Sequence, residues 1–146
     1  MGTSKWRAGD RVYVDTNLFI YAVEQVMPFA PQAKLLLEAA DEGTVTLVTS
    51  LLTLAETLVM PLRQENASLI DVYRELFTLP PPGLIVAPLD ADILEQAAKL
   101  RASTPSIYLP DAIHLATAQA RQCDLFLIND SRLQTAMGID VVLLFD

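Results

Sequence analysis

Apolar and polar positions along the chain follow two alternating rhythms. Short runs rich in β-branched and aromatic residues read as strands: Val12-Tyr13-Val14, Thr44 to Thr49, Leu84-Ile85-Val86-Ala87, Leu125-Phe126-Leu127-Ile128 and Val141 to Phe145. Between them the apolar residues recur at helical spacing. Leu18 to Val23 follows the first strand, and Gln32 to Glu42 repeats Ala33, Leu36, Leu37 and Ala40. A helix after Ser50 carries Leu52, Glu56 and Val59, and Asn66 to Leu79 carries Leu69, Ile70, Tyr73, Leu76 and Phe77. Asp90 to Ser103 carries Ile93, Leu94, Ala97 and Leu100; a further helix opens at Leu109, and a short one lies around Leu133 to Met137. Strands alternating with helices in this way predict an α/β fold, a three-layer sandwich around a central parallel sheet of about five strands.

Punctuation between the runs supports that division. Gly43 ends one helix, Ser50 can cap the next, and Pro80-Pro81-Pro82-Gly83 forces a loop. That loop is not a domain boundary, because neither side of it alone supplies a sheet. Residues 1–10 read as a loosely ordered lead-in and residues 11–146 as one domain.

Composition sharpens the picture in three ways. Hydrophobic residues make up 52% of the chain, which a sheet buried on both faces, or a protein interface, would absorb. The uncharged run between Glu42 and Glu56 is too short for a membrane span of ~18 apolar residues, and the basic lead-in has no apolar stretch of a secretory signal. A lone Cys123 excludes an internal disulfide; together these observations predict a cytoplasmic protein with no membrane association. The formal net charge of -8 argues against a broad basic surface for nucleic acid, although bound cations would reverse the local sign at an acidic site.

Candidate chemistry starts where the first strand stops, at Asp15-Thr16-Asn17. Thr16 or Asn17 can cap the following helix, so a plain turn fits this triplet as well as a site does. Glu56 falls with Leu52 and Val59 at i, i+4 and i+7, within or beside an inward stripe, where a carboxylate needs a cation, a donor or a pocket mouth; Arg63 shares that face. Asp111 follows Pro110 in the first turn of a helix, where the macrodipole favours a charged carboxylate. His114 either orients Asp111 or fills the core, and the core reading is favoured for one histidine with no Cys or second His beside it. Asp130 ends the Leu125 to Ile128 strand much as Asp15 ends the first.

These four acids can converge on one rim. Two carboxylates ~6 Å apart at an effective dielectric of ~20 repel by roughly 3 kcal/mol, so a cluster calls for protonation or a cation. An all-oxygen ligand set points to Mg2+ or Mn2+ rather than zinc, and to metal-assisted hydrolysis of a phosphodiester. Thr16, Asn17 and Ser131 would then be supporting donors or substrate contacts. Arg63, Arg101 and Arg132 are candidate phosphate contacts, with ordinary solvated charge as the competing reading.

Taken together, Asp15-Thr16-Asn17, Glu56, the stretch Leu109-Pro110-Asp111-Ala112-Ile113-His114-Leu115-Ala116-Thr117-Ala118 and Asn129-Asp130 resemble PIN-domain proteins, especially VapC-like toxins of type II toxin-antitoxin systems. The resemblance runs from Val12 to the C-terminus. It implies a Mg2+- or Mn2+-dependent ribonuclease with Asp15, Glu56, Asp111 and Asp130 as both catalytic acids and metal ligands. It further implies an RNA substrate, a homodimer and a cognate antitoxin whose C-terminal segment lies over the active-site groove. The chain departs from the family pattern in its longer lead-in and in placing Ile128 where members often carry Ser or Thr. An inactive PIN-like module acting through protein partners is the alternative. A phosphorylation-receiver domain is disfavoured, since it needs an acidic pair after the first strand and a lysine after the last.

Overall fold

Along β1 (Arg11–Val14) the side chains divide between two cores: Val12 and Val14 pack into one apolar cluster and Tyr13 into the other, as the two-residue period of a strand requires. The computed structural model describes residues 6–128 and the backbone of a last strand at 140–143. Its remaining elements are α1 (Thr16–Val23), α2 (Ala30–Asp41), β2 (Thr46–Ser50), α3 (Leu52–Arg63), α4 (Ala67–Thr78), β3 (Leu84–Ala87), α5 (Ala91–Ser103), α6 (Leu109–Ala120), β4 (Leu125–Ile128) and β5 (Asp140–Leu143). The helix expected around Leu133 to Met137 lies outside the described residues.

The strands form one five-stranded sheet in the order β3-β2-β1-β4-β5, every neighbouring pair parallel. β1 is therefore the central strand, with Val12 opposite Leu47 on one side and Leu125 on the other. On one face Val12, Val14, Leu47 and Leu127 meet Leu18, Phe19, Leu36, Tyr73 and Phe77 from α1, α2 and α4. On the other, Tyr13, Val48, Phe126 and Ile128 meet Ile93, Ala97, Ala112, Leu115 and Ala116 from α5 and α6. This is the three-layer α/β arrangement predicted from the alternation. The alanines of α6 let that helix lie close against the sheet, and seven consecutive residues of it, Ala112 to Ala118, are buried.

Local signals set the ends of several elements. Asn66 Oδ1 accepts from the Leu69 N–H at 3.2 Å and Asp90 Oδ1 from the Ile93 N–H at 2.9 Å, so each is a cap just before its helix. Ser50 Oγ accepts from the Leu52 N–H at 3.0 Å as α3 begins. In the proline loop, Gly83 adopts φ +88°, and a Cβ there would stand 2.3 Å from the Ala40 carbonyl oxygen. Only glycine lets this loop press against α2 while its own carbonyl accepts from Leu47 N–H at 2.7 Å. Before β1, Trp6 packs against the first cluster and Gly9 N–H donates to Thr44 O at 2.7 Å. Among the described residues, no helix is long and apolar enough to cross a membrane.

Candidate active site

At the carboxyl end of the central strand, the chain turns into α1 through Asp15. The Asp15 backbone is extended (φ -88°, ψ -172°), and its Oδ1 accepts from the Asn17 N–H at 3.2 Å. The cap is thus Asp15 itself, not Thr16 or Asn17 as expected, because Thr16 already has helical geometry. The turn reading of this triplet holds: one carboxylate both ends the strand and starts the helix. That frees the Thr16 side chain, whose Oγ1 donates to Glu56 Oε1 at 2.7 Å. The Asn17 residue is exposed.

Glu56 reaches the site from α3, beside the buried stripe rather than in it. The expected line through Leu52, Glu56 and Val59 is corrected: the buried positions of α3 are Thr53, Thr57 and Pro61, while Val59 is 47% exposed. Threonines can take the inner face because their hydroxyls are satisfied there. Thr53 Oγ1 and Thr49 Oγ1 share a hydrogen bond at 2.8 Å, and Thr57 Oγ1 donates to Thr53 O at 2.8 Å. Arg63 is exposed and lies 3.9 Å from Met60 Sδ.

His114 is buried in α6, as the core reading expects, yet it also holds a carboxylate. Its partner is Glu56, not Asp111: Nε2 lies 2.6 Å from Glu56 Oε1. On the other side of the ring, Nδ1 lies 2.6 Å from the hydroxyl of Tyr13, which is wholly buried. Burial pushes Glu56 up, but His114 above all, with the Thr16 hydroxyl, outweighs it and holds the carboxyl below its usual range. An ionised carboxylate only accepts, so Nε2 carries a hydrogen. Burial, and then the charge of Asp15, keep the Tyr13 proton on its oxygen far above the ordinary phenol range.

Asp111 sits in the first turn of α6, as predicted. Its effect is felt at Asp15, whose carboxyl is raised from 3.8 to about 6. Burial is the main cause; His114 and the Asn17 N–H oppose it, while the charges of Asp111 and then Glu56 add to it. Asp111 and Glu56 are therefore near enough for their charges to be felt at Asp15. Asp130, Ser131 and Arg132 lie outside the described residues. Arg101 is engaged elsewhere, donating to Pro105 O at 2.5 Å.

Tyr13 was not singled out from the sequence as a functional residue. Its one signal there is general: a tyrosine in a fully buried strand must bring a partner for its hydroxyl. Ile128, at the position where a hydroxyl is common in the family pattern, is an enclosed core residue on the same face of the sheet as Tyr13.

The donor chemistry fits a hard divalent cation. Burial is what chiefly raises Asp15, the charges of Asp111 and Glu56 add to it, and a cation beside the carboxylate would offset both. Among the described residues, no group of three His, Cys, Asp or Glu side chains encloses an ion by itself.

Residues 12–138 match the sequence profile of the PIN domain. The chain belongs to the PIN domain family. No curated protein matches it significantly. Several solved structures share the PIN fold of this chain. One is a toxin-antitoxin complex from Klebsiella pneumoniae, 23% identical, covering 92% of this chain and 98% of its own, with a TM-score of 0.67. VapBC2 from Rickettsia felis, bound to a DNA fragment from its promoter, is 17% identical over 91% of this chain and 98% of its own, with a TM-score of 0.68. VapC20 of Mycobacterium tuberculosis, a toxin that cleaves the sarcin-ricin loop, is 19% identical over 79% of this chain and 86% of its own, with a TM-score of 0.66.

Proposed function

We propose that this PIN domain is a Mg2+- or Mn2+-dependent endoribonuclease and the toxin of a type II toxin-antitoxin pair. The observation that carries the reading is the PIN-domain match over residues 12–138, with Asp15 at the carboxyl end of the central strand and Glu56 bonded to the adjoining Thr16. Asp15, Glu56, Asp111 and Asp130 are proposed as the acids that hold the cation, with Thr16, Asn17 and Ser131 as supports or substrate contacts. A divalent cation bound there would lower the pKa of a water and offset the negative charge that develops on a phosphodiester. The residues would position that ion and keep Glu56 ionised through His114 and Thr16.

An antitoxin partner, homodimer formation and a cytoplasmic location belong to the same proposal. Exposed apolar side chains on α3 and α4, among them Val59, Met60, Leu62 and Val72, support a protein partner. The test is to incubate the purified protein with structured and single-stranded RNAs, with Mg2+ or Mn2+ and then with chelator. Cleavage that needs the ion and falls by at least about 100-fold in Asp15→Asn, Asp111→Asn and Asp130→Asn supports the reading. Cleavage that persists in those variants sinks it, and ion binding without cleavage of any RNA favours a binding module.

A further inference from the structure

Four side chains from four elements form one hydrogen-bonded line: Tyr13 on β1, His114 on α6, Glu56 on α3 and Thr16 on α1. The line runs from the core to the rim. Tyr13 is 0% exposed, His114 3%, and the Glu56 side chain 32%. The inner end is clamped by aromatic packing, with Phe126 of β4 stacked on Tyr13 at 4.8 Å and the His114 ring edge-on to it at 5.7 Å. Among the described residues, both hydrogen bonds to Glu56 fall on the same oxygen, Oε1. Two bonds use both lone pairs of that oxygen.

We propose that Tyr13 and His114 are positioning residues for Glu56, fixing its carboxylate so that Oε2 is the one oxygen it offers to a cation. The Tyr13 hydroxyl donates to Nδ1, which fixes the ring and its tautomer; Nε2–H then donates to Oε1, and Thr16 fills the remaining lone pair. A glutamate at a helix edge otherwise samples several rotamers, and each would meet the ion differently. Packing alone gives no reason to bury a phenol and an imidazole here, since both need partners that an apolar pair would not. This inference rests on the nuclease reading above for the identity of the ion, but the link from Tyr13 to Glu56 is testable without any metal.

The chain contains a single histidine, so its imidazole nitrogens can be read without assignment. The experiment combines long-range 1H–15N spectra of the 15N-labelled protein with calorimetric titration of Mn2+, for wild type, Tyr13→Phe, His114→Gln, His114→Leu and Glu56→Gln. The expected spectrum shows hydrogen on Nε2 and none on Nδ1; Tyr13→Phe moves the Nδ1 signal and Glu56→Gln the Nε2 signal. Mn2+ affinity is expected to fall roughly two- to tenfold in Tyr13→Phe and about 10- to 100-fold in His114→Leu. His114→Gln, whose amide can donate from near the Nε2 position, recovers most of that loss. Hydrogen on Nδ1 instead of Nε2, or wild-type Mn2+ affinity in both Tyr13→Phe and His114→Leu, overturns the proposal. If His114→Leu does not fold, Tyr13→Phe and His114→Gln decide it by the same two measurements. If the wild type binds no Mn2+, the nuclease reading fails on its own, and an Nε2 signal unmoved by Glu56→Gln would separately overturn the positioning link.

Discussion

Thr16 and Glu56 are forty residues apart in the chain, and Thr16 Oγ1 donates to Glu56 Oε1 at 2.7 Å. This bond joins the first turn of α1 to the middle of α3 at the end of the central strand. A hydroxyl rather than a cation does the joining, so the tie leaves the negative charge of Glu56 in place.

Thr16→Val keeps the shape of the side chain and removes only the donor. A hydrogen bond to a charged group contributes about 1.5–3 kcal/mol, discounted here because Glu56 is partly in solvent. The expected outcome is a roughly tenfold loss of RNA cleavage with stability changed by less than about 1 kcal/mol, and recovery in Thr16→Ser. Cleavage rates beside urea unfolding curves check both halves.

The Asp15 carboxyl gives the metal-free protein a characteristic pH dependence. Between about 4 and about 6 the folded chain keeps a proton that the unfolded chain has lost, so stability falls as pH rises through that window and then levels. A shift from 3.8 to about 6 corresponds to about 3 kcal/mol at most. Asp15→Asn should therefore stabilise the metal-free protein near pH 7 by roughly 1–3 kcal/mol and flatten the profile. Denaturant melts across this pH range in chelator test the sign.

Mn2+ or Mg2+ should reverse that penalty. At a free concentration 100 times its dissociation constant, a ligand of the folded state adds about 2.7 kcal/mol, or roughly 5–10 °C in Tm for a domain of this size. Thermal scans with and without Mn2+ should show this rise in wild type and lose it in Asp15→Asn and Asp111→Asn.

Gly83→Ala tests the fold remote from the site. The added Cβ would lie 2.3 Å from the Ala40 carbonyl oxygen at a backbone angle of +88°, so strain and overlap combine. A loss of about 3 kcal/mol or more is expected, read from unfolding curves. By contrast, Asp90→Ala removes only the cap of α5 and should cost about 1 kcal/mol while RNA cleavage stays unchanged.

Much of this arrangement was readable from residue order alone. Leu84–Ala87 and Leu125–Ile128 are strands with the bounds expected, because continuous apolar runs between turn signals leave little choice. Weakly patterned ends shifted instead: the second strand is Thr46–Ser50, not Thr44 to Thr49, and the last begins at Asp140, one residue before Val141, while its expected end at Phe145 lies outside the described residues. The inner face of α3 was misread because burial there goes to threonines that find partners inside, a pairing that depends on β2 and cannot be counted along one helix. The partner of His114 was missed for a similar reason. Asp111 is its neighbour in sequence, but Glu56 is the carboxylate the packing of α3 against α6 brings to its ring. Spacing within an element shows which residues share a face; which face meets which is decided by the sheet between them.

The sheet order places the first strand between β2 and β4, so that its two partners lie far apart along the chain. A polypeptide still on the ribosome and made only as far as α5 already has Asp15, Thr16 and Glu56. It lacks Asp111, the imidazole that holds Glu56, and the strand that carries Phe126 against Tyr13. The arrangement at the end of β1 therefore stays unfinished until α6 and β4 have been made, and a fragment that stops before α6 holds Glu56 without its imidazole.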